Sequence, residues 1–298
     1  MTTATQATTN AAIQIRGLRK HYPGFDLGPL DLDVPRGSIF GFVGPNGAGK
    51  STTIDLMFGM GRSDAGSVRL LGLDAVADEV AVKMRAAYVG PELEYGSWGK
   101  IGKAIRFVRG FYRESWDDAY CEQLLERFKL NANDKIATLS FGSRTKLALV
   151  IALSRRPELL VLDEPTTGLD AIAKRELFSA LLELVEDSNH TILISSHNLS
   201  DLERFADHVA IINDGRILHA GPMDDVIEPF CIADFTLAEN QPLANGQGIT
   251  VIVRQGGRAR ALVDRKFGGM EKLAAAGARD VTHSTVNLEE LFISLLSK

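Results

Sequence analysis

A chain of 298 residues, 45% hydrophobic and 24% charged, is long enough to bury a sizeable core and to form about two domains. Its formal net charge of −5 excludes the basic footprint of a nucleic-acid binder, and two cysteines far apart, Cys121 and Cys231, match no metal-ligand spacing and argue for a reducing compartment. No apolar run approaches the ~18 to 20 residues that cross a bilayer, and Met1–Ala11 lacks the basic start and apolar core of a signal peptide, so a disordered leader and a cytoplasmic chain are expected.

Ile13–Leu18, Leu30–Val34 and Ser38–Val43 are predicted strands, the last two joined at the turn Pro35-Arg36-Gly37. Tyr22 is expected in the loop after the first of them, where an exposed aromatic either stacks on a purine ring or packs on the surface. Gly44-Pro45-Asn46-Gly47-Ala48-Gly49-Lys50-Ser51-Thr52 then fits G-x-x-x-x-G-K-[ST], the phosphate-binding loop, between the apolar run Ile39–Val43 and a predicted helix Thr52–Phe58. Glycines free of Cβ let successive N–H groups curl around one anion, and the positive end of the helix adds to that cradle. Lys50 is placed to reach β- and γ-phosphates, and the Ser51 hydroxyl to bind Mg²⁺.

A turn at Gly59–Gly66, a strand Ser67–Leu71, a helix near Asp78–Met84 and a strand Ala86–Gly90 follow. Between Tyr88 and Tyr120 fall eight of the 21 aromatic residues, and the apolar spacing turns helical at Ile101, Ile105, Val108 and Tyr112, so a helical insertion is expected over about 97–137. Lys100, Lys103, Arg106, Arg109 and Arg113 place five cations along its first helix, either a solvated surface or a face turned toward anionic lipid or an acidic partner.

Ser140, ahead of a helix predicted over Lys146–Ser154, is an N-cap candidate. Leu159–Leu162 reads as a buried parallel strand with Asp163 and Glu164 at its carboxyl end, the side on which open α/β sheets bind ligands. Asp163 can hold the Mg²⁺ begun by Ser51, and Glu164 can orient and deprotonate a water. Gly168-Leu169-Asp170 turns into a helix Ala173–Glu186, and His197 stands just past a buried strand Thr191–Ser195, a place where a histidine is more often structural than catalytic. A helix Ser200–Phe205 and the strands Val209–Ile212 and Arg216–His219, turning at Asn213-Asp214-Gly215, come next. Beyond Gly221-Pro222 the pattern weakens to a hairpin, Ile249–Val253 with Arg258–Val263, and two helices, Met270–Ala276 and Asn287–Leu296, the second with Asn287 and Glu290 spaced as a capping box.

In this order the motifs resemble the ATP-binding subunits of ABC transporters over about residues 13–225. The resemblance implies an α/β P-loop NTPase core with an antiparallel β subdomain and a helical insertion, forming an ABC-type ATPase domain over 12–227 with its helical subdomain at about 97–154. A small C-terminal α+β accessory domain would occupy 228–298, and the leader 1–11. It makes Gly44–Thr52 the Walker A loop, in which Gly44, Asn46, Gly47, Ala48, Gly49, Lys50, Ser51 and Thr52 hold the phosphates of ATP. Leu139–Ser143, with Ser140 and Gly142, becomes the signature motif, Leu160–Glu164 Walker B with its catalytic glutamate, Gly168–Asp170 the D-loop, His197 the switch histidine and Tyr22 the adenine-stacking aromatic.

Three positions depart from the family pattern. No glutamine lies between Ser51 and Glu122, so Glu92, with Glu94 second, is expected to stand for the usual γ-phosphate-sensing glutamine and to approach Mg²⁺ as a carboxylate. The signature reads Leu-Ser-Phe-Gly-Ser where Leu-Ser-Gly-Gly-Gln is typical, and Ala171 follows the D-loop in place of proline. The signature variant and the short trailing domain are closer to bacterial exporters with separate membrane subunits. By the resemblance two ATP-binding subunits, identical or paralogous, meet head to tail around Mg²⁺-ATP on the inner face of the cell membrane. They would drive integral permease subunits, with 92–116 as the docking segment and no role for nucleic acid. The rival reading is a soluble mechanical ATPase of the DNA-repair or ribosome-associated type, whose coiled coils, zinc modules or tandem ATPase units this chain lacks. A regulator without turnover is disfavoured by Glu164.

Overall fold

Alternating burial shapes the first strands. β1 (Ala11–Tyr22) and β2 (Phe25–Pro35) pair antiparallel, and along β2 Leu30, Leu32 and Val34 are buried while Asp31 and Asp33 face out. β3 (Ile39–Val43) is buried at all five positions, as a strand covered on both faces requires. The computed structural model describes residues 10–91, 98–186, 190–238 and 248–296, in two units: Met1–His197 with Phe205–Leu218, and Asn198–Arg204 with His219–Lys298.

In the first unit α1 (Lys50–Met57), β4 (Ala65–Leu70), β5 (Leu73–Asp74), α2 (Glu79–Arg85) and β6 (Ala86–Val89) follow β3. The helical insertion supplies α3 (Ile101–Phe111) and α4 (Asp118–Arg127), and the chain returns through α5 (Phe141–Leu153), β7 (Leu159–Asp163), α6 (Ala171–Val185) and β8 (Thr191–Ser196). β9 (His208–Asn213) and β10 (Arg216–Pro222) close the run, while α7 (Leu199–Leu202), between β8 and β9 in the chain, is counted with the second unit. One sheet is antiparallel, ordered β2-β1-β4-β5; the other is ordered β10-β9-β3-β8-β7-β6, and its strands β9, β3, β8, β7 and β6 run parallel to one another. An apolar cluster joins them, with Ile13 and Leu30 from one sheet and Phe40, Val161 and Leu193 from the other around Ile54 of α1. This is the α/β P-loop core with antiparallel subdomain and helical insertion that the sequence implies.

The second unit adds α8 (Met223–Ile227), β11 (Phe230–Thr236), β12 (Ile249–Gln255), β13 (Arg258–Asp264), α9 (Gly269–Ala275), β14 (Arg279–Thr285) and α10 (Leu288–Leu296) around a sheet ordered β12-β13-β11-β14. The expected hairpin is β12 and β13, and the capping box closes: the Asn287 N–H donates to Glu290 Oε2 at 3.2 Å and the Glu290 N–H to Asn287 Oδ1 at 2.8 Å. β14 leaves no hydrophobic period because it is an exposed edge strand, and β11 reads only as a short apolar run.

One expectation needs correction. Tyr22 is the last residue of β1, paired with Phe25 across the hairpin, so the strand runs four residues past Leu18 and no loop intervenes. Of the leader, residues 1–9 lie outside the described residues, and Ala11 already belongs to β1.

The start of β7 is tied to the end of α2 by Glu158, whose carboxylate accepts from Arg85 Nε at 2.5 Å and from Arg85 Nη2 at 2.6 Å. Hydrogen bonding to Arg85 holds the Glu158 carboxyl below its usual range. The pair therefore stabilises the fold above the unfolded glutamate pKa, about 4.3, and loses that contribution as pH falls through the folded value. Both side chains are 38% exposed, so the effect is expected to stay under about 1 kcal/mol. Thermal melts from pH 6 to pH 3 should show the wild type losing more stability than Glu158→Gln.

Candidate functional site

The parallel register sets the site. With β3, β8 and β7 adjacent, Val43 pairs with Ser196 and Asp163 with Ser195, so the segments leaving these three strands emerge side by side. They carry the phosphate loop, the two acids and His197.

Gly49, at φ +105°, occupies a backbone conformation that a side chain would strain, and a Cβ there would lie 2.6 Å from Leu27 Cδ1 of β2. The loop is fixed from one side by Gly215, whose N–H donates to Ala48 O at 3.0 Å while its carbonyl accepts from Gly28 N at 2.7 Å. Phe25, the partner of Tyr22 in the hairpin, also approaches Gly49, so Tyr22 sits, 40% exposed, in a hairpin that packs on the phosphate loop. Asn46, Gly47 and Ser51 are exposed at the loop surface, Thr52 half-buried, and Gly44 and Ala48 buried.

Lys50 is only 6% exposed. Its Nζ donates to Gly44 O at 2.7 Å and to Pro45 O at 3.3 Å, and lies 3.4 Å from Glu164 Oε1 as an ion pair without hydrogen-bond geometry. The other carboxylate oxygen of Glu164, Oε2, is 2.7 Å from Nδ1 of the exposed His197. Glu164 stands at φ +52°, a left-handed conformation uncommon for a residue with a side chain. Asp163 is 1% exposed: its Oδ1 accepts from the Ser195 hydroxyl, while its buried Oδ2 has no hydrogen-bond partner among the described residues. Burial and the Asp163 charge push the Asp55 carboxyl of α1 up, and burial with both carboxylates pushes the Tyr88 phenol up.

A buried, half-satisfied carboxylate beside the first turn of α1, which packs on β7 and carries Ser51, has the donor chemistry of a hard cation bound through few protein ligands. Among the described residues no cluster of three or more histidine, cysteine or acidic side chains forms a chelate of its own. Glu92 and Glu94 lie outside the described residues.

The second group of expected residues forms a separate surface. Ser140 caps α5, its Oγ accepting from Ser143 N at 3.2 Å, and α5 begins at Phe141, five residues before its predicted start, because the cap fixes the first turn. Asp170 caps α6, accepting from Ala173 N at 2.8 Å, and that backbone hydrogen bond holds its carboxyl below the usual range. The two helix starts touch: a Cβ on Gly142 would meet Gly168 O at 2.7 Å, and one on Gly168 would meet the Phe141 ring at 2.6 Å. Phe141, the residue that replaces the usual glycine, is thus a half-exposed ring laid over the D-loop.

The aromatic segment divides. Tyr120 is buried, whereas Trp98, Phe107 and Phe111 form a chain of edge-on contacts, with ring centroids 4.9 and 5.2 Å apart. These rings line a groove of about 440 Å³ with Val80, Met84 and Tyr88. Val80, Phe107 and Phe111 are 78%, 56% and 63% exposed, an apolar surface larger than folding of this chain needs. All five cations around α3 are exposed, and Arg109 pairs with Asp118 at 2.5 Å. Tyr95, within the expected docking segment 92–116, lies outside the described residues.

Sequence reading missed Ser195, which bonds to both acids, and the left-handed Glu164. The one available signal was a run of polar residues, Ser195 and Ser196, ending an apolar strand that is buried throughout.

A phosphate loop on a lysine-led helix, facing an acid-ended parallel strand, defines a P-loop nucleoside-triphosphate hydrolase. The ABC transporter domain family model matches residues 27–167. The daunorubicin/doxorubicin resistance ATP-binding protein DrrA of Streptomyces peucetius is 35% identical over 70% of this chain and 65% of its own length. The Nod factor export ATP-binding protein I of Cupriavidus metallidurans is 30% identical over 97% of this chain and 98% of its own. A solved ATP-binding subunit of an ABC transporter superposes with a TM-score of 0.65 at 28% identity, covering 72% of this chain and 91% of that one. The chain belongs to the ATP-binding subunits of ABC transporters, and its function is ATP binding and hydrolysis in the service of transport. Such subunits dimerise and work with membrane permeases; among the described residues no helix is long and apolar enough to cross a membrane.

Proposed function

We propose that this chain powers an exporter by closing on Mg²⁺-ATP with a second ATP-binding subunit and reopening after hydrolysis. The observation that carries the reading is the convergence of Lys50, Asp163, Glu164 and His197 on one side of the parallel sheet, with Lys50 tied to Glu164 at 3.4 Å. In it Gly44, Asn46, Gly47, Ala48, Gly49 and Thr52 offer backbone N–H groups to the phosphates, Lys50 exchanges its carbonyl and carboxylate partners for β- and γ-oxygens, and Tyr22 stacks on adenine. Ser51 and Asp163 Oδ2, with Glu92 as a third group, would hold Mg²⁺, which when bound neutralises phosphate charge. Glu164 takes the proton of the attacking water, and His197 orients Glu164 and meets the γ-phosphate.

One chain supplies one phosphate loop and one signature start. Ser140, Gly142 and the N-terminus of α5 therefore face the γ-phosphate of the partner subunit's nucleotide, with Asp170 lining the joint. A second copy is the simplest partner, and closure follows because ATP binds the closed pair better than the open one. The groove of Val80, Met84, Trp98, Phe107 and Phe111 takes a permease segment, which places the subunit peripherally on the inner face of the membrane. Export is favoured over uptake by the likeness to the Nod factor export ATP-binding protein.

Co-expression with any neighbouring reading frame that encodes a multi-span membrane protein tests the reading. Wild type should co-purify with a multi-span protein and release phosphate from ATP, and the pair Phe107→Asp with Phe111→Asp should lose the membrane protein while keeping ATPase activity. ATPase activity with no membrane partner, unchanged by the double substitution, would favour the soluble mechanical ATPase.

A further inference from the structure

We infer that Ser195 is a positioning residue for the metal and water chemistry: its one hydroxyl aims Asp163 at the cation and fixes the backbone from which Glu164 projects. This rests on the placement of Mg²⁺-ATP proposed above. Ser195 is fully buried at the last turn of the parallel pairing, directly beside Asp163 in the β7–β8 register. Its Oγ–H donates to Asp163 Oδ1, and the same oxygen accepts the Glu164 N–H at 3.1 Å, while that N–H also reaches Ser195 O at 3.2 Å.

The geometry divides the labour of one carboxylate. With Oδ1 engaged by the hydroxyl, the Asp163 side chain is oriented and Oδ2 is left buried and without a hydrogen-bond partner among the described residues, an arrangement that is costly unless a cation meets it. The accepting half of the hydroxyl does a second task. Glu164 sits at φ +52°, and its N–H would lose one of two acceptors without Ser195 Oγ, loosening the left-handed turn that points its carboxylate at Lys50 and His197. Ser195→Ala would preserve strand and burial yet remove both hydroxyl links. On β8 the Thr191 hydroxyl accepts from the Gly37 N–H at 3.0 Å, Ile192, Leu193 and Ile194 pack in the core, and among the described residues Ser195 is the one that joins the two acids.

The test is a Mg²⁺ titration of ATP binding, read by a fluorescent ATP analogue at fixed nucleotide, beside turnover at saturating Mg²⁺. Ser195→Ala is expected to bind ATP as wild type does in EDTA, to need about tenfold more Mg²⁺ for half-saturation, and to turn over at least about tenfold more slowly, the range of losses for a group that orients a metal ligand. Ser195→Thr and Ser195→Val add the same bulk to a buried site and differ only in the hydroxyl. Thr should hold Mg²⁺ more tightly than Val by a similar factor, which a packing defect alone would not produce. Melting curves without nucleotide establish that each variant is folded. Ser195→Ala with the wild-type Mg²⁺ requirement, or Thr and Val alike, would overturn the inference. A wild-type protein whose ATP binding ignores Mg²⁺ would instead sink the metal placement beneath it.

Discussion

Glu164→Gln is expected to lower ATP turnover by about 10²- to 10⁴-fold, the usual contribution of a positioned general base, while ATP affinity is kept or raised. The side chain is mostly buried, contacts Lys50 through one oxygen and His197 through the other, and an amide of the same shape can fill that space without accepting a proton. Affinity should not fall because the carboxylate competes with phosphate for Lys50: at 3.4 Å it gives the ammonium an internal counter-charge that the nucleotide must displace, and glutamine removes the competitor. Phosphate release and nucleotide titration on the same preparation separate the two effects. Turnover within a few-fold of wild type would take the base role from Glu164.

Lys50→Ala is expected to weaken ATP binding by about tenfold to a hundredfold or more, from the loss of charge-assisted hydrogen bonds of about 1.5–3 kcal/mol. Lys50 is held almost out of solvent by Gly44 and Pro45 carbonyls, so its ammonium is pre-aimed and pays little ordering cost when phosphate replaces them. The substitution also leaves Glu164 without its counter-ion, so apo stability has to be measured beside affinity. A titration with labelled ATP giving wild-type affinity would contradict the phosphate-loop assignment at its centre.

The core of the fold was legible where one physical requirement dictates residue type over a short stretch. A loop that wraps phosphate needs glycine, so Gly47 and Gly49 announce themselves; a strand covered on both faces needs an unbroken apolar run, so Ile39–Val43 and Leu159–Leu162 do too. What escaped depends on register between distant segments. Ser195 meets Asp163 across thirty-two residues of chain only because β7 and β8 pair in one register, and Gly142 meets Gly168 only because two capped helices begin side by side. The unusual Phe141 looked like a departure in the signature, whereas its ring covers Gly168, a contact no local pattern encodes. Tyr22 was misplaced for a related reason: hairpin pairing with β2 extends β1 through a polar stretch, Arg19-Lys20-His21, that carries no alternation. Edge strand β14 is invisible for the same lack of buried faces.

The central claim is that each nucleotide site is completed by a second subunit. Sedimentation equilibrium of Glu164→Gln with Mg²⁺-ATP, with Mg²⁺-ADP and without nucleotide tests it most directly. The account predicts twice the 32.4 kDa of one chain with ATP and a single chain in the other two conditions. A protein saturated with ATP that remains at 32.4 kDa, or that pairs equally well with ADP, would contradict it.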